Sequence, residues 1–140
     1  MKIKTLFVVA GEASGDQLAA PIVQSLLSTG RWQVSGIGGP KLRATGADLI
    51  YNAESLNLIG LFEVIPALPK VWKIWKGTLA AAKHLKPDAA LLIDMPDFNM
   101  RLGPKLAKLG VKVVYVGAPQ AWAWRPGRAS TMAPWVHTLG

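Results

Sequence analysis

Short apolar runs recur along this chain at intervals that helices fill, and that alternation constrains the fold more than any other feature. Residues 5–10 (TLFVVA), 33–37 (QVSGI), 89–93 (AALLI) and 111–116 (VKVVYV) read as strands, with a weaker one over 48–51. Helical patterns lie between them over 16–28, 41–45, 69–86 and 100–109; Gly38-Gly39-Pro40 opens the second, Pro87 closes the third and Gly110 stops the fourth. Strands that are apolar almost continuously are buried on both faces, as in a parallel sheet covered by helices. The repeated strand–helix order predicts an α/β domain, a Rossmann-like doubly wound parallel sheet.

Size and composition narrow the possibilities. The 140 residues suffice for one domain with a core, and 51% hydrophobic content excludes a disordered chain. No run reaches the roughly 18 apolar residues of a spanning helix, and Met1-Lys2-Ile3-Lys4 leads straight into a strand rather than a signal peptide. The absence of cysteine removes disulfides, thiolate metal sites and a thiol nucleophile, so the expected compartment is the cytoplasm. A net charge of +8 predicts an anionic partner: nucleic acid, a membrane surface or a phosphorylated substrate. The final residues, 135–140, resemble a further strand just beginning, from which a fragment or a split protein is expected.

In open α/β sheets ligands collect beyond the carboxyl ends of the strands, near the reversal of strand order. The first loop there is Gly11-Glu12-Ala13-Ser14-Gly15-Asp16. It has neither the lysine of a Walker A loop nor dinucleotide-fingerprint glycine spacing. Glu12 and Asp16 would repel phosphate, which suits sugar hydroxyls or proton removal instead. Ser14 has capping-box spacing to Gln17, so a capped turn, with Asp16 favouring the helix dipole, accounts for Ser14 and Asp16 equally well. The second loop, Gly36 to Lys41, reads as turn chemistry. In the third, Ile93-Asp94-Met95-Pro96-Asp97-Phe98-Asn99, either Asp97 or Asn99 caps the next helix. Asp94 ends the strand without a capping duty, and a carboxylate there can take the proton of an attacking hydroxyl. The fourth loop, 117–128, carries alternating Trp122 and Trp124 with Arg125 and Arg128 available to phosphate. No metal site is expected, because His84 and His137 are isolated in sequence.

The long helix carries a second signal. At roughly 100° per residue, Val71, Ile74, Thr78, Ala81 and Leu85 form a stripe expected to face the sheet. Leu68, Trp72, Trp75 and Leu79 form another, flanked by Lys73, Lys76 and Lys83. Two apolar faces exceed what a soluble helix needs, and tryptophan bordered by lysine fits an anionic lipid surface. Packing against residues 56–65 or a missing domain is the other account. Trp32 and Trp135 read as ordinary core or edge positions.

Five stretches in register resemble the amino-terminal half of the lipid-A-disaccharide synthase family: AGEASGD (10–16), GIGGPKLRATGAD (36–48), LNLIGLFEVIPALPK (56–70), KPDAALLIDMPDFNMRL (86–102) and PQAWAWRPGR (119–128). The resemblance implies a B-type glycosyltransferase fold of two Rossmann-like domains. Residues 1–140 would be the acceptor- and membrane-side domain, incomplete, with the carboxyl-terminal UDP-sugar domain absent from this chain. It implies an inverting transferase of Gram-negative lipopolysaccharide synthesis, using no metal or cofactor. That enzyme joins UDP-2,3-diacylglucosamine to 2,3-diacylglucosamine 1-phosphate, giving the β-1,6 lipid A disaccharide and UDP.

By the same resemblance Asp94 is the base, with Glu12 also catalytic. Ser14, Asp16, Asp97, Asn99, Trp122 and Arg125 bind substrate. Phe62, Leu68, Val71, Trp72 and Trp75 meet the membrane or acyl chains. The implied location is cytoplasmic, peripheral on the anionic inner membrane. Two departures are Ala118, where the family usually has a small polar residue, and tryptophan at 72 and 75, where it usually has aliphatics. The competing expectation is a non-catalytic membrane- or lipid-binding module derived from that fold. Nucleic-acid binding is set aside, because the tryptophans follow an apolar stripe and not a basic groove.

Overall fold

The computed structural model describes residues 3–10, 13–50, 69–93, 95–116 and 136–139. The elements, in chain order, are β1 (Lys4–Ala10), α1 (Ala13–Ser28), β2 (Trp32–Ile37), α2 (Pro40–Ala44), β3 (Asp48–Leu49), α3 (Pro69–Leu85), β4 (Ala89–Ile93), α4 (Pro96–Lys108), β5 (Lys112–Val116) and β6 (Val136–Leu139). Among the described residues all strands join one sheet of order β3-β2-β1-β4-β5-β6, every pair parallel. This is the expected doubly wound α/β arrangement.

Alternation along the central strands divides the core in two. Leu6, Val8, Ala10, Leu91 and Ile93 pack with Ala19 and Val23 of α1 and Leu42 of α2. Phe7, Val9, Leu92 and Tyr115 pack with Ile74, Trp75 and Ala82 of α3 and with Phe98, Leu102 and Leu106 of α4. Period-two geometry sends successive side chains to opposite faces, so α1 and α2 cover one face and α3 and α4 the other. Because β1 leads to β2 on one side and stands beside β4 on the other, strand order reverses between β1 and β4. Their register pairs the last residues, Ala10 with Ile93.

The opposite edge is pinned by Asp88. Its carboxylate accepts the Thr5 amide at 2.8 Å, and its own amide donates to the Thr5 carbonyl at 2.9 Å. Buried Thr78 on α3 is satisfied by donating its hydroxyl to the Ile74 carbonyl at 2.8 Å. Trp32, half-buried at the start of β2, lies 5.9 Å beneath the Lys4 ammonium.

Three element boundaries differ from the sequence reading. α1 begins at Ala13, so Ser14 is inside the first turn and is not its cap. That turn is seated against the strand ends: a Cβ on Gly15 would lie 3.2 Å from Ile93 Cγ2 and 3.5 Å from Ala10 Cβ. α4 begins at Pro96, ahead of the expected 100, because Met95 takes a left-handed conformation (φ 49°, ψ 65°) and turns the chain directly into the helix. Pro96 then occupies the first position, where its fixed φ and missing N–H are tolerated. β3 is shorter than expected, ending at Leu49.

Candidate functional site

The reversal between β1 and β4 marks the position at the carboxyl edge of the sheet where such folds usually hold a ligand. Its described surroundings are Ala10, the first turn of α1, Ile93, Met95 and the Gly38-Gly39 turn. Gly11 and Glu12 follow Ala10 directly in sequence, and Asp94 follows Ile93. Glu12, Asp94, Trp122, Arg125, Phe62 and Leu68 lie outside the described residues, as do the side chains of Val71 and Asp97.

Asp16 has a structural task that the sequence reading did not include. It is buried, 3% exposed. Its Oδ1 accepts the amides of Gly39 and Leu42, and its Oδ2 accepts that of Lys41, each at 2.9 Å. A side chain on α1 therefore caps the start of α2, whose own cap residue, Gly39, supplies no side-chain bond. Three amides with no intrahelical partner converge on one negative charge, as the helix dipole favours. The fit is tight, since a Cβ on Gly39 would come within 2.7 Å of Asp16 Oδ2. Burial and three accepted bonds give Asp16 the task of holding the Gly38-Gly39 turn in place.

Asn99 is also interior. It is fully buried, its side-chain amide donates to the Ile93 carbonyl at 3.3 Å, and its backbone amide donates to the Met95 carbonyl at 2.8 Å. It ties the first turn of α4 to the end of β4 across position 94, so it braces the strand end. Neither Asp97 nor Asn99 occupies the cap position, which belongs to Met95. Ser14 remains at the exposed surface of α1's first turn.

The two tryptophans of the proposed second stripe separate. Trp75 is 5% exposed and meets Phe98 edge to face, with centroids 5.3 Å apart at 90°. The expectation that it faces lipid is thus corrected: α4 lies close enough for Phe98 to draw it into the core. Trp72 is 39% exposed. It borders a groove of about 450 Å³ that is also lined by Trp75, Arg101, Pro104, Lys105 and Lys108.

Sequence reasoning missed Met95 as the turning residue, Gly39 as Asp16's partner, and the cations of α4. The clue to the first was Pro96 placed immediately after a strand. For α4, the signal was the spacing of Arg101, Lys105 and Lys108, which puts them on one helix face. Among the described residues no group of three or more histidine or acidic side chains could hold a metal ion. No helix among them is long and apolar enough to cross a membrane.

Comparison with known proteins bears on the whole chain. The family model described as lipid-A-disaccharide synthetase matches residues 6–140. The lipid-A-disaccharide synthase of Myxococcus xanthus (strain DK1622) is 46% identical over 136 residues, 96% of this chain and 35% of that protein. That of Anaeromyxobacter dehalogenans (strain 2CP-C) is 45% identical with the same coverage. That of Pasteurella multocida (strain Pm70) is 37% identical, again across 96% of this chain and 35% of the relative. The chain spans about a third of the length of these relatives, and it belongs to the lipid-A-disaccharide synthase family of glycosyltransferases.

Proposed function

We propose that this chain supplies the acceptor-side half of an inverting glycosyltransferase. The enzyme transfers 2,3-diacylglucosamine from its UDP conjugate to 2,3-diacylglucosamine 1-phosphate, forming the β-1,6 disaccharide and releasing UDP. Carrying most weight is the registered pairing of Ala10 and Ile93 at the reversal of strand order, each followed directly in sequence by a carboxylate-bearing segment. Asp94 acts as general base. It takes the proton of the acceptor 6-hydroxyl as that oxygen bonds to the anomeric carbon, while the bond from that carbon to the UDP oxygen breaks. Attack from the face opposite UDP inverts the centre. Glu12 assists at the same edge, and Asn99 and Asp16 keep the two flanking loops in place.

Trp122 and Arg125 complete the substrate contacts. A carboxyl-terminal domain, from the same or another polypeptide, holds the UDP group. The work takes place on the cytoplasmic side of the anionic inner membrane, where both lipidated sugars reside. The test combines this chain with the carboxyl-terminal portion of a relative and measures UDP release from both substrates. Turnover is expected from the pair, and Asp94→Asn should lower kcat by about 10²–10⁴-fold, the usual worth of a positioned base. No turnover from a well-folded pair would leave a non-catalytic lipid-binding module as the better reading. Full turnover in Asp94→Asn would remove the proposed base.

A further inference from the structure

Resting on the reading of Asp94 as the base, we propose that Asn99 is a positioning residue for it, fixing the backbone on both sides of position 94. Asn99 lies in the first turn of α4 and is fully buried. Its side-chain amide donates to the Ile93 carbonyl at 3.3 Å, and that carbonyl belongs to the peptide joining residues 93 and 94. Its backbone amide donates at 2.8 Å to the Met95 carbonyl, in the peptide joining Met95 to Pro96. This second bond is also the first of the helix. One residue thus holds the chain immediately before residue 94 and immediately after residue 95.

The backbone between those two points is held in an unusual shape. Met95 is left-handed, φ 49° and ψ 65°, a region few non-glycine residues enter, and Pro96 restricts it further. Such a conformation persists only where its surroundings over-determine it, and residues of this kind gather at functional sites. The surroundings here are interior: Ile93, Met95, Phe98 and Asn99 are each no more than 1% exposed. Phe98 is set edge to face against Trp75, and Ile93 stands against the Gly15 turn of α1. Position 94 is the single residue between two buried anchors. A firm support matters more to a base than to a binding contact. Misplacing a reacting group by about 1 Å can cost a hundred-fold in rate, and an interaction made only in the transition state shows in kcat and not in KM. Asparagine supplies the donor that this clamp needs, whereas leucine has nearly its shape and no polar atom.

The test uses the reconstituted pair of chains. Asn99→Leu should lower kcat about 10–100-fold and change KM by less than about two-fold. Asn99→Ala removes the same donor in a smaller side chain and should reproduce that split. Leu106→Ala, about two turns further along α4, is the control for stability. It should lower the urea midpoint and leave the kcat of the folded enzyme unchanged. Added to Asp94→Asn, Asn99→Leu should cost less than about three-fold more, because a positioning residue then has nothing left to position. The chain contains no cysteine, so Asp94→Cys offers one thiol for a nitroxide label. The label's motion should be restricted with Asn99 present, free in Asn99→Leu and still restricted in Leu106→Ala.

Full kcat in folded Asn99→Leu and Asn99→Ala, with Asp94→Asn impaired, would overturn the positioning role and leave the base in place. Losses that multiply in the double variant would do the same, by assigning the effect of Asn99 to another group. A label that moves freely beside Asn99, or stays restricted without it, would overturn the role whether or not the pair turns over. Full turnover in Asp94→Asn would sink the base and the positioning role with it. An inactive pair in which only the loss of Asn99 frees the label would sink the transferase reading alone, leaving Asn99 as the residue that fixes position 94.

Discussion

Two helices on opposite faces of this sheet, α1 and α4, handle charge in opposite ways. On one side α1 carries a single charged residue, Asp16, and buries it as a cap for α2. On the other, α3 and α4 bring lysines and an arginine to the surface around two tryptophans, one interior and one exposed. The first uses its charge to hold a loop at the carboxyl edge of the sheet, and replacing that charge should damage the fold. The second holds its lysines at the exposed surface, where such charge contributes little to stability. Lys41 and Arg43 of α2 are exposed on the same face as α1, so the division runs between helices and not between the faces of the sheet.

The largest expected effect tests the interior of the cationic face. Trp75→Ala should cost about 4 kcal/mol, because a fully packed indole leaves a cavity against Phe98. Urea unfolding measures it, and a cost near zero would return Trp75 to the surface stripe. Asp16→Ala follows at about 3 kcal/mol, since the buried amides of Gly39 and Leu42 lose a charged acceptor. Asp16→Asn should recover part of this, as its remaining oxygen still accepts. Equal losses in the two variants would show that the charge itself, and not the acceptor geometry, makes the cap. Gly39→Ala should cost about 2 kcal/mol, because the added methyl presses on a carboxylate fixed by three bonds.

These cases show what is legible in sequence. The strands and the long helix could be read because local apolar runs and periodicity determine them. Strand order could be narrowed by the alternation of elements, but the pairing of β1 with β4 joins residues far apart in the chain. Asp16 looked like a site residue or a local dipole partner because its actual partners, Gly39 to Leu42, begin 23 residues later. Capping-box reasoning sees only the next turn. Trp75 was placed with Trp72 because both lie on one side of a helical projection. Such a projection contains no information about the neighbouring helix, and Phe98 decides the matter. Met95 was unreadable for another reason: a non-glycine residue with positive φ is uncommon, and nothing local to methionine favours it.

The smallest expected effect is the sharpest test of the division within α3. Trp72→Ala should destabilise by only about 1 kcal/mol, because solvent already reaches the indole and replaces it when it is removed. Its chemistry matches Trp75 and it sits on the same helix, so the difference between the two variants isolates environment from residue type. Trp75→Ala should lower the urea midpoint, whereas Trp72→Ala should leave it nearly unchanged. If Trp72→Ala instead unfolds the chain as readily as Trp75→Ala, the groove wall belongs to the core. The cations of α4 would then surround a packed seam and not an opening.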